Sequence, residues 1–368
     1  MPNRRDFLKK AAGASAGLIF VGCDICDAIA ARMPALAQVA TSTKRKEVMV
    51  GKRRVKTVDV HCHVSVPGVM DLATGTKVTR RAIAYDSEGL TAARIEAMDK
   101  MGIDVQAVSI NPFWYNADRD LAIRIIDFQN QRMSELCAAH PDRFVAFASV
   151  ALQFPELAAQ QLEDGMKKWG LRGGAIGCSV EGEDLYGAKY DPFWAKAQEL
   201  DALIFVHPQN GGVTGIDSRL AGSGALTNVI QYPLETSMFL SHMIFEGVFD
   251  RFPKLKICAA HGGGFLTNYP DRMDHGCIVF PEQCPKVIAK HPSEYIKQIY
   301  VDTLVFTPEG LRHLLAEVGP GNIGLGTDYP FPWELNPVDH VLTQPGLSDA
   351  DKIAILGGNM CKLLKIPA

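Results

Sequence analysis

From Thr57 onward the chain repeats one pattern: a short, near-continuous apolar run, then a stretch with helical spacing. Eight such runs are legible, at 57–60, 105–110, 144–150, 174–178, 203–206, 256–260, 299–302 and 323–326. Strands that are apolar at nearly every position, not at every second one, are what parallel strands buried on both faces require. Between them, 121–138 carries Leu121, Ile125, Phe128 and Met133 near helical period, 155–169 and 192–200 open on proline, and 234–249, 308–318 and 349–364 read as further helices. Strand and helix alternating eight times predicts an α/β chain folded as a (β/α)₈ barrel over residues 57–368. The alternative is a doubly wound open sheet. A dinucleotide-binding version of it needs Gly-x-Gly-x-x-Gly after the first strand, and that motif is missing there. No linker-like segment interrupts the pattern after residue 56, so one domain accounts for most of the 368 residues.

The segment before the barrel reads as an address. Arg4-Arg5-Asp6-Phe7-Leu8-Lys9 is followed by a small-residue apolar stretch at 11–22 and by Ala35-Leu36-Ala37. A basic start, an apolar middle and a small-x-small cleavage site define an export signal, and the paired arginines resemble the twin-arginine type. The expectation is removal of residues 1–37, the twin-arginine export machinery as a partner, and a periplasmic protein that crosses the membrane folded with its cofactor loaded. Residues 38–56, with Lys44-Arg45-Lys46 and Lys52-Arg53-Arg54, read as a solvated N-terminal arm. A net charge of −3 argues against a nucleic-acid footprint. Of nine cysteines, Cys23 and Cys26 leave with the signal, and Cys277 and Cys284 are the only close pair among the rest, hence a candidate disulfide.

In such a barrel, chemistry sits at the C-terminal ends of the strands. Strand one ends Asp59-Val60-His61-Cys62-His63, and period-two alternation puts His61 and His63 on one side with Cys62 on the other. Strand five ends at His207, strand six at His261 and strand eight at Asp328, so four of the ten histidines and one aspartate meet at one rim. Three imidazoles and a carboxylate suit one divalent metal, with Zn²⁺ the best match and Mn²⁺ the alternative.

Taken with their neighbours, these residues resemble the amidohydrolase superfamily, in the branch of aminocarboxymuconate-semialdehyde decarboxylase and related aromatic-acid decarboxylases. The resemblance runs through His61-Cys62-His63, Arg94-Ile95-Glu96-Ala97-Met98-Asp99, His140-Pro141-Asp142-Arg143-Phe144, Phe205-Val206-His207-Pro208, Ala260-His261-Gly262-Gly263-Gly264 and Gly326-Thr327-Asp328-Tyr329-Pro330. It implies one metal held by His61, His63, His207 and Asp328, with His261 unligated and acting as general acid/base on metal-bound water. Strand four ends at Cys178-Ser179 without a lysine, so a carbamylated bridge between two metals is not expected. Arg272 matches an arginine that binds the substrate carboxylate from the neighbouring subunit, which implies a homodimer.

The activity implied is non-oxidative decarboxylation of a small aromatic or unsaturated carboxylic acid. The same parts also serve a hydrolase or hydratase acting on a lactone, amide or unsaturated acid, and a non-catalytic periplasmic binding protein is the third reading. Arg80 and Arg81 are candidates for clamping a carboxylate, and Trp114 and Tyr115, beside Phe113, for an aromatic pocket wall. Asp302 is either an outer partner of the metal site or a capped strand end. Gln209 stands where the named decarboxylase has tryptophan after His-Pro, and this points to a different acid as substrate.

Overall fold

The computed structural model describes residues 44–80, 91–209, 219–220 and 222–367, with only the backbone of Thr79 and Arg80. The export signal, Arg81 and much of the loop after Gln209 lie outside the described residues. Eight parallel strands appear where the sequence pattern puts them: β1 (Val58–His63), β2 (Val105–Ser109), β3 (Phe144–Ala146, resuming at Ala148–Ser149), β4 (Gly173–Gly177), β5 (Leu203–His207), β6 (Lys256–Ala259), β7 (Tyr300–Asp302) and β8 (Ile323–Gly324). Each pairs in parallel with its predecessor, β3 reaching β4 through Ala148 and Ser149. The barrel closes where the Val60 amide donates to the Leu325 carbonyl at 2.8 Å and bridges join Asp59 to Leu325 and Cys62 to Tyr329.

Leu203 and Phe205 point into the barrel with Ala175, Cys258 and Ala260, while Ile204, Val206, Ile257 and Ala259 point out toward the helices. Phe147 stacks on Phe205 at 5.6 Å inside. Surrounding helices include α1 (Ala92–Met101), α2 (Arg119–Ala139), α3 (Pro155–Lys167), α4 (Asp191–Glu199), α5 (Tyr232–Phe245), α6 (Pro270–Val279) and α7 (Pro308–Val318). Their starts carry the expected chemistry: Asp118 caps α2 by accepting the Leu121 amide at 2.9 Å, and Thr307 caps α7 ahead of Pro308. Helix α5 ends before the expected residue 249, because Gly247 turns left-handed at φ 67° and a separate turn, Val248–Arg251, follows. Among the described residues no helix is long and apolar enough to cross a membrane.

The expected solvated arm is corrected from Lys44 onward. Met49–Val50 pairs antiparallel with Arg53–Arg54, and Val48, Val50 and Val55 are buried in the core. Asp104 holds the hairpin down, accepting from Arg54 Nη1 and from the Thr57 amide, each at 2.9 Å. The charges that suggested an arm thus flank apolar anchors, and Arg45, Lys46 and Arg54 find partners on the barrel. Cys277 and Cys284 form a disulfide at the end of α6.

Two glycines separate a structural requirement from a free surface position. Gly173 opens β4 at φ 138°, and a Cβ there would lie 2.2 Å from the Leu203 carbonyl oxygen. Gly276, in α6, has nothing within 4 Å of such an atom. Gly173→Ala is expected to destabilise the fold by about 2 kcal/mol or more, whereas Gly276→Ala is neutral or stabilising by about 0.5–1 kcal/mol. Denaturant midpoints of the two variants check this, and equal midpoints would count against the β4–β5 packing described.

Candidate metal centre

The first two ligands owe their direction to an irregularity in β1. Between Asp59 and Cys62 its register with β2 slips by one residue. Before the slip Val58 and Val60 sit with the interior cluster. After it Cys62 joins the outer cluster, which turns His61 and His63 inward. A bulge of this kind re-aims side chains at a barrel rim. His207 follows Phe205 inward on β5, and Asp328 arrives on the turn after β8 in a left-handed conformation, φ 59°. Among the described residues, His61, His63, His207 and Asp328 offer ligand atoms that all lie within 4.8 Å of one another, and all four side chains are buried.

The outer partners decide which nitrogen faces in. His61 Nδ1–H donates to Asp302 Oδ2 at 2.6 Å, and His207 Nδ1–H donates to the Pro208 carbonyl at 2.7 Å. Each therefore turns its Nε2 into the cluster. The Nε2 atoms of His61 and His63 lie 3.2 Å apart, and Asp328 Oδ1 is 2.9 Å from that of His63 and 3.3 Å from that of His61. His207 Nε2 is buried with no hydrogen-bond partner. An orphaned imidazole nitrogen aimed into a nest of donors is expensive to keep without a cation, and the donor set fits a divalent one. Hydrogen-bonded outer partners of this kind fix the tautomer of a metal-bound histidine. The four residues form a divalent metal site.

Burial and the two carboxylates dominate the electrostatics of the cluster. Burial pushes the His61 imidazole down, but the carboxylates of Asp328 and Asp302 outweigh it and carry the group up to about 10. Burial drives His207 well below the usual imidazole range, helped by the neighbouring histidines, and lowers His63 as well. Burial would raise Asp328, yet the His61 charge and the hydrogen bonds of His261, His61 and His63 hold it well below the usual carboxylate range. Asp302 likewise stays low: His61 and the surrounding donors overcome its burial.

His261 stands apart from this set. Its Nε2 lies 3.6 Å from Asp328 Oδ2, its Nδ1 is buried without a partner, and it lines an open cavity. Its backbone is left-handed at φ 55°, held by an amide that donates to Asp302 Oδ2 at 2.8 Å. Asp302 is thus an outer partner and not a strand cap alone.

Other expected site residues lie elsewhere. Trp114 is fully buried and its indole N–H donates to the Val150 carbonyl, while the Tyr115 hydroxyl accepts from the Gly177 amide. Both belong to the core and not to the lining of the cavity. Gln209 donates its backbone N–H to Glu235 and packs its amide beside Gly177. Arg272 lines an adjoining groove with Tyr269 and His275, which meets the His261 cavity at Asn268 and His313. The Arg80 side chain and Arg81 lie outside the described residues. Sequence reasoning missed Asp59, which accepts Thr327 N–H and O–H, the Gln106 amide and the His61 amide. A lone carboxylate inside a buried apolar strand was the available signal.

Comparison with known proteins follows the same lines. The amidohydrolase family profile matches residues 58–366. The chain belongs to the amidohydrolase family. It is 33% identical over 274 residues to 2-amino-3-carboxymuconate-6-semialdehyde decarboxylase of Dictyostelium discoideum, covering 74% of this chain and 75% of the relative. It superposes on 5-carboxyvanillate decarboxylase from Sphingomonas paucimobilis with a TM-score of 0.76 at 24% identity, over 85% of this chain and 100% of that one. It also superposes on a dihydroxybenzoic acid decarboxylase from Polaromonas sp. JS666, whose structure holds manganese and 2-nitroresorcinol, with a TM-score of 0.70 at 25% identity, over 85% and 97%. In this amidohydrolase the metal ligands come from β1, β5 and the turn after β8, as the sequence predicted.

Asp302→Asn tests the outer partners. Its oxygens together accept four N–H groups, from His61, His261, Gly262 and Leu304. An asparagine turns one acceptor into a donor facing them. Metal affinity, measured by chelator competition, is expected to fall by about 10–100-fold. Unchanged affinity would mean that His61 is oriented by other contacts.

Proposed function

We propose that this amidohydrolase is a metal-dependent, non-oxidative decarboxylase acting on a small aromatic or unsaturated carboxylic acid. The observation that carries the reading is the placement of His261 beside Asp328, where the edge of the ligand cluster meets an open cavity. The decarboxylases with which the chain aligns support the reaction type. A bound divalent ion would supply Lewis acidity, drawing negative charge toward the ligand cluster. The protein's own groups do the proton work. Decarboxylation replaces a carbon–carboxylate bond with a carbon–hydrogen bond, so a proton must reach that carbon as the electrons of the breaking bond return to it. Imidazole titrates near neutrality and can hold and release that proton. Asp328 Oδ2, within reach of His261 Nε2, accepts or relays it. Carbon dioxide leaves, and the carbon keeps the proton.

Three imidazoles with one carboxylate favour Zn²⁺, with Mn²⁺ as the alternative; elemental analysis of the purified protein decides between them. Export by the twin-arginine route is part of the proposal, and the bonded Cys277–Cys284 pair suits an oxidising compartment. So is a homodimer: Arg272, which lines a groove adjoining the cavity and not the cavity itself, would reach the acid of a partner.

Carbon dioxide release from a panel of hydroxybenzoic and unsaturated acids tests the reaction, and turnover of lactones or amides without carbon dioxide would replace it with hydrolysis. His261→Ala is expected to retain its metal while activity falls by about 10²–10⁴-fold. Loss of metal in that variant would make His261 a ligand. Mixing an inactive His261→Ala chain with an inactive Arg272→Ala chain is expected to restore part of the activity if the arginine serves across the dimer; no recovery removes that role.

A further inference from the structure

We propose that the cavity beside His261 reads the end of the substrate farthest from its carboxylate, and that it selects an aromatic acid bearing an apolar extension, such as a second ring, packed against the exposed faces of the Phe306–Trp333 pair. The orientation of the acid rests on the decarboxylase reading; the clamp rests on the cavity.

The cavity measures about 280 Å³. That is near the lower end of the ~300–1,000 Å³ range of sites for drug-sized ligands, and more than one ring needs. His261 marks its catalytic end. Away from it the wall is mainly apolar, with Val305, Leu314, Phe265, Phe306 and Trp333; no aspartate, glutamate, lysine or arginine lines it among the described residues, and His313 is the one other imidazole there. Apart from His313, such a wall offers a second carboxylate no basic side chain, and its apolar part suits a hydrocarbon group.

Two features single out the aromatic pair. Phe306 is 50% exposed and Trp333 39%, their ring centroids 5.9 Å apart. Large aromatics left open side by side at a cavity wall lose apolar burial that a ligand ring restores. The backbone gives the second. Phe306 is left-handed at φ 61°, a conformation a bulky side chain avoids. The segments after β6, β7 and β8 each carry such a residue: His261, Phe306 and Asp328. Two of the three are the proposed acid/base pair. Strained residues of this kind gather at active sites and ligand clamps, and the third, held in the same way, faces the same cavity.

The test uses metal-loaded full-length protein, with 2-hydroxybenzoate and its 4-phenyl and 5-phenyl derivatives as probes. Affinity is read by titration calorimetry and turnover by carbon dioxide release. At least one phenyl isomer is expected to bind about tenfold more tightly than the parent acid, a discrimination typical of an apolar pocket. That ratio is expected to fall toward one in Phe306→Gly, which the left-handed backbone accepts, and in Trp333→Ala. Phenyl isomers that bind no better than the parent overturn the proposal, as does an advantage that survives in the double variant. If the affinity order appears but no acid is decarboxylated, the clamp stands and the decarboxylase reading falls. If the parent is decarboxylated and no isomer gains affinity, the reading stands and the clamp falls.

Discussion

Asp302 is the point on which the geometry of this barrel mouth turns. It is completely buried, in a place where an unpaired carboxylate would be prohibitive. It persists because each of its oxygens accepts two N–H groups, from three different parts of the rim. One of those hydrogen bonds sets the tautomer of His61. Another draws the His261 amide in and helps to hold that residue in its left-handed turn. One buried charge therefore positions a metal ligand on β1 and the proposed acid/base after β6 together, and displacing either would leave the other's partner exposed to an apolar interior.

A second buried network braces the same mouth from behind. Arg94, on α1, donates to the His63 carbonyl and to Gln106 at 2.7 Å each, and its guanidinium lies over the Tyr329 ring. Gln106 passes the connection to Asp59 at 2.9 Å, and Asp59 binds Thr327, next to Asp328. Burial carries the Asp59 carboxyl up to about 6, against the opposing hydrogen bonds of Thr327 and Gln106. These contacts cross the seam where β8 meets β1. The closure of the barrel and the meeting of Asp328 with His61 and His63 are thus one structural event.

The strands and the ligand set were legible because both are written locally. Parallel strands buried on both faces need apolar runs, and a rim histidine needs only to end one of them. What escaped was what depends on partners far along the chain. The hairpin at 44–56 looked solvated because its charges outnumber Val48, Val50 and Val55, and nothing local reveals that Asp104 awaits Arg54. Trp114 and Tyr115 follow a strand end, as a pocket wall would, but their polar atoms are spent on Val150 and Gly177, which no spacing rule places beside them. The bulge in β1 was equally hidden. The alternation of His61 and His63 holds after it, while the strand before it runs in the opposite phase.

The distribution of charge across the mouth gives the site a direction. Behind His261 lie the carboxylates of Asp328 and Asp302 and three imidazoles; ahead of it lies a cavity whose described walls carry no aspartate, glutamate, lysine or arginine. An acid entering such a space finds its strongest counter-charge at one end, where the ligand cluster would hold a divalent cation. Its carboxylate must therefore point toward His261 and its hydrocarbon part away. In that orientation the carbon that bears the carboxylate lies next to the one histidine left outside the ligand set. Loss of carbon dioxide removes the charge that fixed the orientation, and the remaining molecule is held only by apolar contact. The same division of the mouth that aligns the acid thus releases its product.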